Sequence, residues 1–155
     1  MSANKTVHND IYTEYESTEA DASKVLLVYQ PGRTSFSEDV ATDIAKGLND
    51  NGYNVTLTTA NDKLTRDLSG YEMVVFGTPI YMSMYSSVIG DYVADIENYG
   101  DAKIVFYCTG MLENTVEFDA MKQLFDGENL IEVKKISKSM YLEDKEVAYN
   151  FGKSL

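Results

Sequence analysis

Residues 24–48 read KVLLVYQPGRTSFSEDVATDIAKGL, and this stretch decides the fold class. After its first residue the run KVLLVY is continuously apolar, as expected for a strand buried on both faces of a parallel sheet. From Ser37 onward apolar side chains recur at helical spacing, until Asn51-Gly52 ends the pattern. A buried strand that leads through a polar loop into an amphipathic helix predicts a strand–helix–strand unit.

The same alternation continues to the end of the chain. Further strands are predicted at residues 53–59, 73–77, 103–108 and 131–136, and helices at 37–50, 88–96, 118–125 and 143–153. Three strands, at residues 24–29, 73–77 and 103–108, have the continuous apolar pattern of strands buried on both faces. The strands at 53–59 and 131–136 have the pattern of half-exposed strands. This contrast predicts an α/β fold, a doubly wound five-stranded parallel sheet of order 2-1-3-4-5 in three α/β/α layers. Residues 60–70 offer few apolar anchors, so a helix there would be short or irregular.

Composition limits the classes of partner. The 155 residues, 44% of them apolar, suffice for the core of one domain. The formal net charge of −12 repels nucleic acid and anionic membranes, and it suits basic protein partners. A single cysteine allows no intrachain disulfide, and the absence of a Cys/His cluster predicts no zinc or other metal site. No apolar window is long enough to span a membrane.

Residues 1–23 differ from the rest of the chain. They carry five acidic residues and few aliphatic ones, so we expect an acidic tail ahead of a domain at 24–155. Such a tail is mobile unless it docks on the domain, in which case Tyr12 and Tyr15 are the candidate anchors.

In an open parallel sheet, ligands bind beyond the carboxyl ends of the strands. The first loop at this edge, residues 30–37, offers the hydroxyls of Thr34, Ser35 and Ser37 at the start of a helix. Free backbone N–H groups and the helix dipole make such a position a candidate phosphate site. The alternative is a capping box, in which the Ser35 hydroxyl and Glu38 serve their own helix.

The second loop, residues 78–87, contains Tyr81, Met82, Met84 and Tyr85. Aromatic and thioether side chains suit a stacked planar ring. The alternative, equally favoured for Met84 and Tyr85, is that these residues pack inward. Ser86 or Ser87 is predicted to cap the following helix.

The third loop, residues 109–115, supplies Thr109, Gly110 and backbone groups that can meet the polar edge of a ring. Cys108 is interpreted as a small buried residue at a strand end, because no base for a thiol nucleophile stands near it. Asn114 and Glu117 fit another helix cap.

Three segments together resemble a known family. KVLLVYQPGRTSFSEDVATDIAKGL, SGYEMVVFGTPIYMS and KIVFYCTG are similar, in order and spacing, to the three cofactor loops of flavodoxins, and GTPIY is the most specific element. The resemblance covers residues 24–155. It implies a flavodoxin-like fold that binds FMN non-covalently and either shuttles electrons or reduces quinone-like substrates.

The resemblance also implies which residues touch FMN. These are Gln30, Thr34, Ser35, Ser37, Thr78, Pro79, Ile80, Tyr81, Met82, Thr109 and Gly110. The hydroxyl residues of the first loop would meet the phosphate, and the others would flank the ring. Ser35 stands where the family has glycine, Phe36 stands where it has asparagine, and Pro31 lacks a backbone donor. The chain has no tryptophan, so Tyr81 would take the place of the one that many members set against the flavin.

Three functions follow as hypotheses. The first is an electron carrier for basic redox partners, a reductase or an acceptor, with acidic surroundings that lower the flavin potential. The second is an FMN-dependent quinone or protoporphyrinogen-type oxidoreductase, although only about eight residues after the fourth strand are available for a substrate lid. The third is a flavin-free interaction module, suggested by the altered phosphate loop. We expect a cytoplasmic protein, or a membrane-anchored one with the tail as stalk if an upstream anchor has been removed.

Overall fold

The computed structural model describes residues 11–155. Its strands are β1 (Tyr12–Tyr15), β2 (Lys24–Tyr29), β3 (Asn54–Thr59), β4 (Met73–Tyr81), β5 (Met84–Tyr85), β6 (Lys103–Gly110) and β7 (Leu130–Ser137). Its helices are α1 (Phe36–Asp50), α2 (Ser87–Asp95), α3 (Phe118–Leu124), α4 (Lys138–Glu143) and α5 (Val147–Ser154).

The strands form one sheet in the order β1-β3-β2-β4-β6-β7, and β5 pairs with β4 alone. Strands β3, β2, β4, β6 and β7 are parallel neighbours, which confirms the predicted α/β fold class with a mostly parallel sheet and roughly matches the predicted strand order 2-1-3-4-5. Two further strands, the antiparallel β1 and β5, join the five parallel ones and were not predicted.

Strand β1 lies in the segment that was expected to be an acidic tail. It runs antiparallel to β3, with Tyr15 opposite Val55, so the predicted edge strand at 53–59 is covered. The Ser17 N–H donates to Asn54 Oδ1 at 2.7 Å, and Tyr15 packs against the core. The backbone groups of an uncovered edge need partners, and β1 supplies them. Residues 1–10 of the predicted tail lie outside the described residues.

Each face of the sheet has its own apolar layer. One layer lies under α1 and α5 and is built around Leu27, Ile44 and Phe151. The other lies under α2 and α3 and is built around Phe76 and Phe106. Two covered faces explain why β2, β4 and β6 are apolar at nearly every position.

Two predicted helices differ from the observed ones. Residues 60–70 contain no helix, as the scarcity of apolar anchors suggested. The helix predicted at 143–153 begins later, at Val147, as α5, and α4 ahead of it was not predicted; Asp144, in an extended conformation, separates the two. Among the described residues, no helix has both the length and the apolar character needed to cross a bilayer.

Candidate functional site

The three loops predicted from the sequence meet at the carboxyl ends of β2, β4 and β6. Ser37 Oγ, at the start of α1, lies 3.1 Å from Thr109 Oγ1 at the end of β6. A Cβ atom built on Gly32 would lie 2.9 Å from Ser37 Oγ and 3.6 Å from the Tyr81 hydroxyl. The glycine therefore lets the first loop pass close to residues of the second and third.

The first loop presents backbone donors at the N-terminus of α1. Ser35 is the N-cap residue, yet its side chain makes no capping hydrogen bond, and its hydroxyl donates to Asp39 Oδ2 at 3.4 Å. The alternative of a capping box with Glu38 is therefore not realised. The Phe36 N–H donates to Thr34 Oγ1 at 3.3 Å. Over residues 11–155, no acceptor is found for the N–H groups of Thr34, Ser35 and Ser37. Such N–H groups at a helix N-terminus are suited to an anion.

Two positive side chains contact aromatic residues around the first loop. The Arg33 guanidinium lies 5.1 Å from the centroid of the Tyr81 ring, and Lys138 Nζ lies 4.8 Å from that of Phe36. Phe36 itself is buried in the layer under α1 and makes an edge contact with Tyr141 at 5.4 Å. The residue that replaces the family's asparagine is thus part of the core, and cations of the surrounding chain flank the loop.

The second loop forms a hairpin. Met82 and Ser83 both have left-handed backbone angles, φ of 51° and 63°, and they connect β4 directly to β5. A two-residue turn of this kind normally selects Asn or Gly, so Met82 and Ser83 carry backbone strain. The Met82 side chain is 99% exposed at the tip of the hairpin.

Thr78 and Ser86 fix the base of the hairpin. The buried Thr78 hydroxyl accepts from the Ser86 N–H at 2.7 Å and donates to the Pro79 carbonyl at 2.9 Å. Ser86 Oγ in turn accepts from the Val88 N–H, which confirms the predicted cap of α2. The Thr78 hydroxyl thus has a structural role, and a ligand would meet the residues further along the hairpin.

A cavity of about 210 Å³ opens between the hairpin and the third loop. It is lined by Ile80, Met82, Ser83, Gly110, Met111, Leu112, Asn114, Glu117 and Lys135. Three predicted cofactor residues, Ile80, Met82 and Gly110, are therefore brought to one cavity. Tyr81, Ser37 and Thr109 lie together beside the first loop, while Thr34 and Ser35 are exposed and Gln30 is buried.

The wall of this cavity contains a buried ion pair that sequence reasoning missed. Lys135 Nζ lies 2.8 Å from Glu117 Oε1, and the side chains are 6% and 1% exposed. Lys135 Nζ also donates to the Asn114 carbonyl at 2.6 Å. The predicted cap by Asn114 and Glu117 is not formed, because the Glu117 carboxylate turns inward to the lysine. The adjacent lysines at 134 and 135 were a signal, since successive residues of a strand face opposite layers.

The thiol of Cys108 belongs to the same cluster. It donates to Glu117 Oε1 at 3.4 Å, and burial, followed by the neighbouring carboxylate, raises the pKa of Cys108 far above its usual range. Burial also acts to raise the pKa of Glu117, but hydrogen bonds from Lys135, its own backbone and Cys108 outweigh it and hold that pKa below its ordinary value. The cluster therefore contains a carboxylate, an ammonium and an unreactive thiol.

No three His, Cys, Asp or Glu side chains in residues 11–155 are grouped so that they could hold a metal ion. The site is instead a set of N–H donors beside a cavity with apolar rims. That combination suits a ligand with an anionic group and a flat ring.

Comparison with solved structures places the fold. Megasphaera elsdenii flavodoxin superposes with a TM-score of 0.68 at 20% identity, over 84% of this chain and 96% of that one. The NAD(P)H:quinone oxidoreductase of Methanothermobacter marburgensis gives 0.60 at 14% identity, over 85% and 98%. A Lactobacillus acidophilus flavoprotein in complex with FMN gives 0.58 at 12% identity, over 79% and 97%. A search of curated proteins finds no match.

The sequence itself carries the family pattern. Residues 32–144 match the flavodoxin domain, a span that runs from the first loop through the hairpin and the third loop to the end of α4. The order of strands, the three loops at the carboxyl edge and this match agree with one another. The chain belongs to the flavodoxin domain family.

Proposed function

We propose that this protein binds FMN non-covalently at the carboxyl edge of its sheet and transfers electrons between protein partners. The observation that carries the proposal is the pairing of unused N–H donors at Thr34, Ser35 and Ser37 with a cavity between two loops. The flavodoxin and the FMN-bound flavoprotein among the structural neighbours support the same cofactor class.

The residues present fit the phosphate of FMN. Each hydrogen bond from a backbone N–H to a charged phosphate oxygen is worth about 1.5–3 kcal/mol. The dipole of α1 adds to this attraction, and Arg33 supplies a full positive charge within the loop. Glu38 and Asp39 in the first turn of α1 repel the phosphate. We therefore expect the affinity for the phosphate to depend on the N–H groups rather than on net charge.

The residues around the cavity fit the ring. Ile80 and Met82 on one side and Gly110 on the other form a slot that a flat heterocycle can enter. Bound flavin supplies the redox chemistry, and the chain binds it, orients it and limits the access of water. In this role no side chain of the protein has to donate or remove a proton.

The surroundings of the slot favour a protein partner. Met82, Met111 and Leu112 expose apolar side chains at its rim, on a chain whose net charge is −12. Apolar contacts at the rim, on a chain of negative net charge, suit a basic redox partner.

The open slot also favours a second candidate, an FMN-dependent quinone or protoporphyrinogen-type oxidoreductase. The exposed rim could admit a flat apolar substrate, and one structural neighbour is a quinone oxidoreductase. The loop between β6 and α3, residues 111–117, is short for a substrate lid, which favours the electron carrier.

Titration of FMN with the purified chain tests the proposal. We expect quenching of FMN fluorescence that saturates at one flavin per chain, with weaker binding of riboflavin, which lacks the phosphate. A colourless protein that leaves FMN fluorescence unchanged would contradict the proposal and favour a flavin-free interaction module. Turnover of a quinone with reduced nicotinamide and no partner protein would favour the second candidate.

A further inference from the structure

Lys135 has an unused hydrogen-bond donor next to the ring cavity. An ammonium group carries three N–H bonds. Two of them are accounted for by Glu117 Oε1 and the Asn114 carbonyl. Over the described residues no acceptor is found for the third, and Lys135 belongs to the cavity wall.

Gly110 leaves the lysine accessible from the cavity. A Cβ atom built at this position would lie 3.3 Å from Lys135 Cε and 3.6 Å from Lys135 Nζ. The space that any other residue would fill is therefore directly beside the ammonium group. A ligand that enters between Ile80 and Gly110 meets the lysine at the inner wall of the slot.

The ion pair is poorly explained by stability alone. Two charges that are 6% and 1% exposed lose most of their hydration, and well-packed apolar residues often replace such a pair without loss of stability. Glu117 Oε2 is buried and lacks a hydrogen-bond partner among the described residues, which adds a further cost. A role in ligand binding explains a buried lysine at this position, and Glu117 holds it in place.

We propose that Lys135 donates a hydrogen bond to the polar, carbonyl-bearing edge of the flavin ring and thereby favours the reduced flavin. This inference rests on the proposed binding of FMN. The opposite edge of the ring carries methyl groups and has no acceptor for the ammonium, so only the polar edge would accept a hydrogen bond from Lys135.

The oxidised and reduced flavin rings differ in charge, so they interact differently with Lys135. On gaining two electrons and one proton, the neutral flavin ring becomes an anion whose charge is spread over N1 and the adjacent carbonyl oxygen. The Lys135 ammonium attracts this anion more strongly than the neutral ring, and the Glu117 carboxylate 2.8 Å from Nζ offsets part of that attraction. The local effect of Lys135 thus opposes that of the net charge of −12.

The test compares Lys135→Gln with Lys134→Gln. Both substitutions remove one positive charge from β7, but Lys134 lies on the other side of the sheet, with Nζ 5.8 Å from the centroid of Phe151. Dissociation constants of FMN are measured for the oxidised form and, anaerobically, for the dithionite-reduced form. We expect Lys135→Gln to weaken the binding of reduced FMN at least tenfold more than the binding of oxidised FMN. A tenfold difference corresponds to a shift of about 30 mV in the potential of a two-electron couple. Lys134→Gln should change the ratio of the two dissociation constants less than twofold.

A second variant tests the proposal independently, in case Lys135→Gln misfolds. Gly110→Ala keeps the ion pair but fills the space beside it, and Gly110 has no left-handed backbone angle. We expect the preference for reduced FMN to decrease here too, with an unchanged circular dichroism spectrum. Repeating both titrations with riboflavin shows whether the lysine acts on the ring, since riboflavin has no phosphate.

The possible outcomes separate the two proposals. Equal losses for both redox forms, or an effect confined to FMN and absent with riboflavin, overturn the role of Lys135 and leave FMN binding intact. Failure of the unmodified chain to bind FMN in either redox state overturns both proposals together.

Discussion

Tyr107 occupies the space that a side chain on Gly77 would need. The two residues are in register on β4 and β6, and Tyr29 of β2 completes the row on the other side of the glycine. A Cβ atom on Gly77 would overlap the ring and hydroxyl of Tyr107, which is itself 1% exposed. This row lies one or two residues before the three loops of the candidate site, so it supports their spacing.

Gly77→Ala should therefore destabilise the fold. Overpacking of a filled core costs about 1–3 kcal/mol, and Tyr107 is fully buried in that core. Urea unfolding followed by circular dichroism measures the loss. Gly70→Ala is the matched control, since nothing lies within 4 Å of the added atom, and it should leave the midpoint unchanged. Equal midpoints for the two variants would contradict the packing described here.

Ser37→Ala should weaken the binding of FMN while the fold is retained. The Ser37 hydroxyl is buried and lies 3.1 Å from Thr109 Oγ1, so it is held at the edge of the proposed phosphate site. Loss of a hydrogen bond to a charged phosphate should cost about 1 kcal/mol or more. Fluorescence titration checks this, with Ser69→Ala, an exposed serine remote from the loop, as control. An affinity equal to that of the unmodified chain would remove Ser37 from the site.

Cys108 should resist alkylation in the native protein. Burial raises the pKa of its thiol, so almost no thiolate exists at neutral or mildly alkaline pH. We expect iodoacetamide to modify the native chain far more slowly than the chain in concentrated urea. Mass spectrometry at timed intervals gives both rates. A native rate close to the denatured one would show that the thiol is exposed or activated.

Acidification should reduce stability through Glu117. The folded chain holds the pKa of this carboxyl below its ordinary value of 4.5. A lowered pKa means that the carboxylate contributes stability above the ordinary value, and the contribution is lost as the pH falls through the lowered one. The free energy of unfolding, measured by urea titration at several pH values, should depend less on pH in Glu117→Gln. The same pH dependence of the free energy of unfolding in both proteins would show that other carboxyl groups dominate acid unfolding.

The sequence was sufficient for the parallel sheet because its signals are strong and local. The runs that became β2, β4 and β6 are apolar throughout, and each leads into a loop and a helical stripe. The three loops of the candidate site follow from the topology, since parallel strands end at one edge of the sheet.

The features that were missed depend on contacts between distant residues. Strand β1 is short and acidic, so only its pairing with β3 makes it a strand. The pairing of Lys135 with Glu117 spans two elements, and each residue alone resembles an ordinary exposed charge. The hairpin turn at Met82 and Ser83 contains neither Asn nor Gly, so turn chemistry did not reveal it.

The placement of β1 also has a consequence for self-association. By pairing with β3 it shields that strand from other chains, and β1 itself is only four residues long and carries Glu14. Short, charged edges are a common protection against edge-to-edge aggregation. A chain shortened to begin at Lys24 would retain the three loops of the candidate site yet expose the whole edge of β3, and it should form oligomers at concentrations where the full chain stays monodisperse.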